Sequence, residues 1–268
     1  GCVTRPVDQS GLAVLQYTSG STSEPRGVMV SHGNIIANLA AIRERCGYAE
    51  DSIGVTWLPH FHDMGLVGLV LVPVASQMSV DYLDTRAFAM RPRKWLELMT
   101  RTRATISFGP PFGYDLVARR LRPGEAQKFD LSHWRVAGVG AEMIRAETLE
   151  RFAERLAPAG FDRKAFLACY GMAECSLAVS FAPLGRGLRR DRVDGDRLSR
   201  EGRALPPGCE PRAQARLNTY VDCGAPLPGF EVEIRDPQGR SLPERHTGVV
   251  HVRGPSVMVG YCGDVAAT

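Results

Sequence analysis

Tyr17-Thr18-Ser19-Gly20-Ser21-Thr22-Ser23-Glu24-Pro25-Arg26-Gly27 follows directly on a short apolar run, Leu12 to Tyr17, whose length and β character predict a strand. Two glycines bracket three hydroxyl side chains and are joined by one cation. Glycine lets backbone N–H groups turn into such a loop, the hydroxyls add further donors, and Arg26 supplies positive charge. Together they predict a cradle for phosphate. The glycine spacing is too wide for a Walker A loop, and no Lys-Ser/Thr pair follows. The same composition also suits a polar hairpin tip, so the loop by itself leaves both readings open.

Working outward, Val28-Met29-Val30 reads as a second strand, and Ser31 is a good N-cap for a helix over His32 to Cys46, with apolar Ile35, Ile36, Leu39, Ala40 and Ile42. Strands are predicted at Ile53–Leu58, Met78–Leu83, Ala104–Phe108, Trp134–Val139 and Phe166–Cys169. Helices are predicted at Met64–Val74, Pro92–Arg103, Phe112–Arg120 and Arg145–Leu156. Strands alternating with helices at these lengths predict an α/β fold with a mainly parallel sheet layered with helices. After Phe181 the character changes. Leu184 to Ala215 is rich in Arg, Gly, Pro and Asp with little apolar periodicity and reads as a long loop or insertion. Phe230–Arg235 and Gly248–Arg253, separated by the turn residues Asp236-Pro237-Gln238-Gly239, read as part of a small antiparallel, barrel-like β subdomain. The expected organisation is an α/β part over 1–182, the insertion over 183–220 and the β part over 221–268.

The bulk properties fit a globular chain. It has 268 residues, 44% hydrophobic and 23% charged, enough to bury a sizeable core and too apolar for disorder. The net charge of +4 is mild, and no Lys/Arg block is dense enough for a nucleic-acid footprint. Met64 to Val74, the most apolar stretch, is too short to span a membrane. Seven cysteines, an odd number without a C-x-x-C pair, read as free thiols in a reducing, cytoplasmic compartment. Gly138-Val139-Gly140 follows a strand, but Met143 stands where a dinucleotide fingerprint needs its third glycine. His60 and His62 share a face if extended, but no Cys/His pair nearby completes a zinc set. Asp81, Asp84, Asp130 and the Arg186–Arg203 stretch read as solvated surface.

Four motifs, in order, carry a resemblance: the loop above; Trp57-Leu58-Pro59-His60-Phe61-His62-Asp63-Met64-Gly65-Leu66; Tyr170-Gly171-Met172-Ala173-Glu174; and Gly248 to Pro255 followed by Gly260-Tyr261. They resemble the adenylate-forming superfamily, which includes acyl- and aryl-CoA ligases, luciferases, peptide-synthetase adenylation domains and fatty acyl-AMP ligases. Leu15 to Thr22, Trp57-Leu58-Pro59, His62 to Leu66, Ala173 before Glu174, and Gly140-Ala141-Glu142 are most similar to the fatty acyl-AMP ligases. That family also carries an extra segment where Leu184 to Tyr220 lies.

The resemblance implies ATP-dependent conversion of a fatty acid to acyl-AMP and pyrophosphate, with ATP and Mg²⁺ as cofactors. The acyl group would pass to an acyl carrier protein or, in the rival reading, to CoA. A non-catalytic AMP-binding-like domain of a multidomain synthase is the reading from another class. By resemblance, Thr18, Ser19, Gly20, Ser21, Thr22 and Arg26 hold the departing phosphates, with Gly27 and Gly171 in the nucleotide-binding set. Glu174, with Thr18, holds Mg²⁺ through hard oxygen ligands. Gly140, Ala141 and Glu142 form one wall of the adenine pocket, Tyr170 lies against the base, and His62 sits between the nucleotide and the acyl tunnel. His62, Glu174 and Arg26 are the expected catalytic residues. Relatives usually carry Lys where Arg26 stands, and Arg keeps the charge in a planar, forked form. Relatives also have an α/β half before the phosphate loop. A ribose-binding Asp, a hinge and a small domain with a catalytic Lys come after the last motif. The chain is therefore expected to be a piece of a larger enzyme, with little turnover by itself.

Overall fold

The computed structural model describes residues 7–18, 25–208 and 216–268. The chain opens with β1 (Leu12–Tyr17) and β2 (Gly27–Ser31), paired antiparallel with Tyr17 opposite Gly27. Helix α1 (His32–Cys46) begins at a reciprocal cap: the Ser31 hydroxyl accepts from the Asn34 amide, and the Asn34 side chain accepts from the Ser31 amide. Gly47 ends the helix in a left-handed conformation. Then follow β3 (Ile53–Thr56), a helical stretch made of α2 (Asp63–Leu66), a π-helical turn over Val67–Leu71 and α3 (Val72–Ser76), and β4 (Ser79–Tyr82). After α4 (Thr85–Met90) and α5 (Arg93–Thr102) come β5 (Ile106–Gly109), α6 (Pro111–Arg120), β6 (Val136–Val139) and α7 (Ala146–Leu156). Next are β7 (Phe166–Gly171), β8 (Ala178–Phe181), β9 (Arg190–Asp194), α8 (Gly195–Glu201) and β10 (Leu217–Val221). The chain continues with β11 (Ala225–Pro226), β12 (Glu231–Arg235), β13 (Val249–Arg253) and β14 (Gly260–Tyr261).

The central sheet has seven strands in the order β11-β8-β7-β6-β5-β3-β4. From β4 to β7 every pairing is parallel, while β8 and β11 add an antiparallel edge. This matches the expected mainly parallel α/β sheet. Strands β5 and β6 are buried along their whole length, as strands covered on both faces must be. Helix α7 buries Ala146, Leu149, Phe152, Ala153 and Leu156, one stripe at helical spacing. An aromatic cluster of Trp95, Tyr114, Trp134, Phe152, Phe161 and Phe166 fills one layer, with neighbouring rings mostly edge to face. Its polar tips are satisfied: Trp95 Nε1 donates to Ser107 Oγ at 2.9 Å and Tyr114 donates to the Gly138 carbonyl at 2.9 Å.

Smaller antiparallel sheets flank this core. β14 pairs with the outer edge of β2, making the three-stranded sheet β1-β2-β14, and β12 pairs with β13. Residues near the two ends of the chain thus share one sheet. Among the described residues no helix is long and apolar enough to cross a membrane.

Two expectations are corrected. The helix predicted over Met64–Val74 forms, but with a π turn at its centre. Pro73 has no N–H to give the Leu69 carbonyl, and that carbonyl accepts instead from the Tyr82 hydroxyl at 3.0 Å. The segment read as a loop over Leu184–Ala215 contains β9 and α8, and β9 pairs with β10. Among its described residues the one fully buried apolar side chain is Val193. The strands are held by backbone bonds beneath charged side chains, which removes the apolar pattern that sequence reading relies on. Arg190 also pairs with Glu150 of α7.

Asn38, fully buried on α1, joins three distant segments. Its Nδ2 donates to the carbonyls of Cys175 and Ala178 and to Ser256 Oγ, while its Oδ1 accepts from the Ala178 amide. Truncation would leave several of these groups unpaired in the interior, each at a cost of about 1–3 kcal/mol. Asn38→Ala is expected to lower the unfolding free energy by about 3 kcal/mol in equilibrium urea denaturation, a size reserved for broken buried networks. A loss below about 1 kcal/mol would show that Asn38 does not organise this junction.

Candidate functional site

Strands β1 and β2 deliver the two ends of the glycine-rich loop side by side. Thr18 N–H donates to the Arg26 carbonyl at 3.0 Å, and Arg26 N–H donates to Thr18 Oγ1 at 3.1 Å. These two bonds latch the loop at its base. Ser19, Gly20, Ser21 and Thr22 lie outside the described residues. Gly27 sits where β1 and β14 close in, since a Cβ there would lie 3.1 Å from Leu15 Cδ1 and 3.4 Å from Cys262 Cβ.

Next to this latch is a cavity of about 820 Å³. It lies at the carboxyl ends of the parallel strands β5, β6 and β7, where open α/β sheets bind ligands. Thr18, His62, Ala141, Tyr170, Gly171 and Glu174 all line it. Its wall continues into apolar groups that include Met64, Leu66, Phe108, Leu177 and Phe181. Arg26, Gly27, Gly140 and Glu142 are not part of the lining. Gly140 packs against Cys169, where a Cβ would lie 2.8 Å from Sγ and 2.9 Å from the carbonyl oxygen. The Glu142 carboxylate accepts from the Phe112 amide, in the first turn of α6, at 2.8 Å. These neighbours hold Ala141 in a left-handed conformation, φ 69°, at the cavity edge.

The Tyr170–Glu174 segment is turned into the cavity by a tight reversal after β7. Gly171 approaches Leu177 so closely that a Cβ would lie 1.9 Å from its carbonyl oxygen. The Met172 amide donates to that same carbonyl at 2.8 Å, and a single 3₁₀ turn over Ala173–Cys175 follows. The Glu174 carbonyl accepts from the Met258 amide at 2.7 Å, and its carboxylate Oε1 accepts from the Tyr261 hydroxyl at 2.7 Å. The guanidinium carbon of Arg26 lies 5.2 Å from the Tyr261 ring centroid, a cation–π distance. Burial pushes the Tyr170 phenol above its ordinary range. Burial also pushes the Cys175 thiol up to about 12 and that of Cys169 higher still, so both are neutral and not nucleophilic.

His62 caps α2 and is half-buried. Its Nδ1 lies 2.7 Å from Asp63 Oδ1 and 3.2 Å from the Met64 amide nitrogen. The Met64 amide is also 2.7 Å from Asp63 Oδ1, so it can donate there while Nδ1 gives its own proton to Asp63. This leaves Nε2 as the imidazole's second site for a proton. The hydrogen bond to Asp63 raises the His62 pKa, against the opposing effect of burial. Gln16 ties β1 to the same turn by donating to the Phe61 carbonyl at 3.2 Å.

Sequence reading named Thr18, His62, Ala141, Tyr170, Gly171 and Glu174, which line the cavity, but gave no role to Asp63, Tyr261 or Asn38. Asp63 follows His62 directly and could have been read as its partner. Tyr261 is 87 residues from Glu174, and no spacing rule links them. Asn38 offers one signal, an amide among apolar neighbours on α1, four residues after Asn34.

Comparison with known proteins gives a consistent picture. A family model described as AMP-binding enzyme matches residues 2–262. A protein of Caulobacter vibrioides that bears the name acyl-CoA synthetase is 46% identical over 248 residues, 92% of this chain and 43% of that protein. A medium-chain-fatty-acid–[acyl-carrier-protein] ligase of Moorena producens is 40% identical over 256 residues, 95% of this chain and 43% of that protein. The crystal structure of a fatty acyl-adenylate ligase from Legionella pneumophila, in complex with acyl adenylate and pyrophosphate, superposes with a TM-score of 0.92. Its identity is 34%, over 98% of this chain and 46% of that one. The chain spans less than half the length of the relatives it matches.

The His62–Asp63 contact has a testable pH signature. A histidine with a raised folded-state pKa adds stability that is complete below the unfolded value of about 6.5 and is lost as pH rises through the folded value. Asp63→Asn removes the main cause of the raised value. In an NMR titration, the His62 midpoint is expected to fall in this variant, and an unmoved midpoint would refute the pairing.

Proposed function

The chain belongs to the AMP-binding enzyme family, and from that premise we propose that the protein carrying it activates a fatty acid as its acyl-adenylate. The observation that carries this reading is one cavity whose wall combines Thr18, His62, Ala141, Tyr170 and Glu174 with apolar groups such as Met64, Leu66, Phe108 and Phe181. A nucleotide and an aliphatic carboxylic acid need that combination of polar and apolar surface.

In this reading the loop latched by Thr18 and Arg26 cradles the β- and γ-phosphates of ATP. A fatty acid carboxylate oxygen bonds to the α-phosphorus as the bond from that phosphorus to the bridging oxygen breaks. Pyrophosphate departs with the bonding electron pair. Both reactants are anions, so the work of the site is in-line placement and charge neutralisation. Arg26 supplies fixed positive charge beside the loop. Ala141, presented by Gly140 and Glu142, and Tyr170 form the walls against the adenine. His62, with its raised pKa, offers a proton or positive charge near the reacting carboxylate. Glu174 is an oxygen donor in the cavity wall, and Thr18 adds a hydroxyl, a donor set that suits a hard cation. They would hold Mg²⁺, which when bound neutralises phosphate charge.

The acceptor we propose is an acyl carrier protein, in keeping with the named activity of the Moorena relative. The name of the Caulobacter relative favours CoA as a second reading. The five described cysteines are all unbridged, in keeping with a reducing, cytoplasmic setting.

The test is incubation of the protein with α-labelled ATP, Mg²⁺ and a medium-chain fatty acid, with and without CoA, followed by separation of the products. A labelled acyl-AMP that persists with CoA present and is consumed by a carrier protein is the expected result. Conversion to acyl-CoA would move the assignment to the second reading. Failure to form labelled acyl-AMP with any fatty acid would overturn the proposal. Glu174→Gln is expected to lower acyl-AMP formation by at least about a hundredfold, the scale for losing a principal electrostatic group.

A further inference from the structure

We infer that Tyr261 is a positioning residue of the nucleotide site: its hydroxyl fixes the Glu174 carboxylate while its ring seats the Arg26 guanidinium. This deepens, and rests on, the reading of the cavity as a nucleotide site. Three contacts converge. The Tyr261 hydroxyl donates to Glu174 Oε1 at 2.7 Å, the Arg26 cation lies 5.2 Å from the Tyr261 ring centroid, and the tyrosine comes from a strand bonded to the loop's own strand. In that pairing Tyr261 lies opposite Val28, and the Cys262 amide donates to the Gly27 carbonyl at 2.8 Å. The same segment holds the Glu174 backbone, because the Met258 amide donates to its carbonyl at 2.7 Å.

The chemistry of this arrangement is specific. A glutamate side chain in water samples many rotamers, and only some aim its oxygens at one point in the cavity. A donor at Oε1 removes that freedom and leaves Oε2 with its lone pairs for a hard cation. A phenol does this without bringing a positive charge that would compete with the metal. Partners of this kind, which hydrogen-bond a metal-ligating carboxylate, are typically worth 10–100-fold in metal affinity or activity. The ring face does a second job. Its negative quadrupole faces the guanidinium, and the planar fork of arginine suits such stacking better than an ammonium does. Arg26 is therefore matched to Tyr261. One residue orients both the group that would hold the metal and the charge beside the phosphates.

The test compares wild type, Tyr261→Phe, Glu174→Gln and the double variant by calorimetric titration of ATP at a series of Mg²⁺ concentrations. ATP–pyrophosphate exchange is measured in parallel. Tyr261→Phe keeps the ring, its packing and the stacking face toward Arg26 and removes the hydroxyl with its hydrogen bonds, so its melting temperature should stay close to the wild-type value. The expected result is a roughly tenfold rise in the Mg²⁺ concentration for half-maximal ATP binding. The exchange kcat should fall while the KM for the fatty acid stays unchanged. In the Glu174→Gln background the same change should have no further effect. Arg26→Lys should weaken ATP binding without moving the Mg²⁺ midpoint. Wild-type binding of Mg²⁺-ATP with an unshifted midpoint in Tyr261→Phe, or an additive loss in the double variant, would overturn the role of Tyr261 alone. Absence of Mg²⁺-dependent ATP binding by wild type would overturn the nucleotide reading, and this inference with it.

Discussion

A buried amide must find partners for its donors and acceptor, and Asn38 finds them on segments that are otherwise far apart in the chain. This requirement fixes where the site can be. Asn38 stands on α1, which is capped by Ser31, the last residue of the strand that leaves the glycine-rich loop. Its amide holds the turn from Cys175 to Ala178, directly after Glu174, and Ser256, shortly before Tyr261. Ser256 in turn donates to the Cys175 carbonyl at 2.8 Å, and Ser176 donates back to the Ser256 carbonyl at 3.0 Å. The loop, the acidic turn and the last strand are thus indexed to one side chain that is not itself part of the cavity wall but bonds to Ala178, which is.

Two kinds of sheet meet at the cavity and contribute differently. The parallel strands β5, β6 and β7 end on one side and leave Phe108, Ala141 and Tyr170 along its wall, held by a dense aromatic layer beneath. The antiparallel sheet β1-β2-β14 contributes Val14 to Thr18, the strand end at the base of the loop, to the same wall. Apolar burial secures the first set, since Ile106, Val136, Val139 and Leu167 are wholly buried. In the second, Val28 and Val30 of β2 are buried as well, while Leu15 and Tyr17 of β1 remain exposed and β1 is held mainly by backbone pairing.

That division explains which parts were legible in the sequence. The helix over His32–Cys46 was readable to the residue because Ser31 caps it and its composition suits a helix. The parallel strands were readable as apolar runs bounded by Gly and Pro. The site residues from Thr18 to Glu174 were readable only because four motifs occur in order. Local pattern failed where the deciding partner is remote. The π turn depends on Tyr82 satisfying the carbonyl that Pro73 leaves free. Strand β9 depends on β10, 23 residues further along from Asp194 to Leu217 in register. Tyr261 depends on Glu174 and Arg26, and no rule of spacing connects them.

The pairing of β14 with β2 has a consequence for how the molecule is made. Its register sets Gly260 opposite Met29 and Tyr261 opposite Val28, residues more than 230 positions apart. Contacts of such sequence separation are entropically the costliest to close and form late. On a ribosome, the parallel sheet from β3 to β7 can assemble while the cradle strand β2 still waits for its outer neighbour. The sheet β1-β2-β14 therefore closes after the parallel core beside it, and a nascent chain presents a built core before it presents a closed cavity wall.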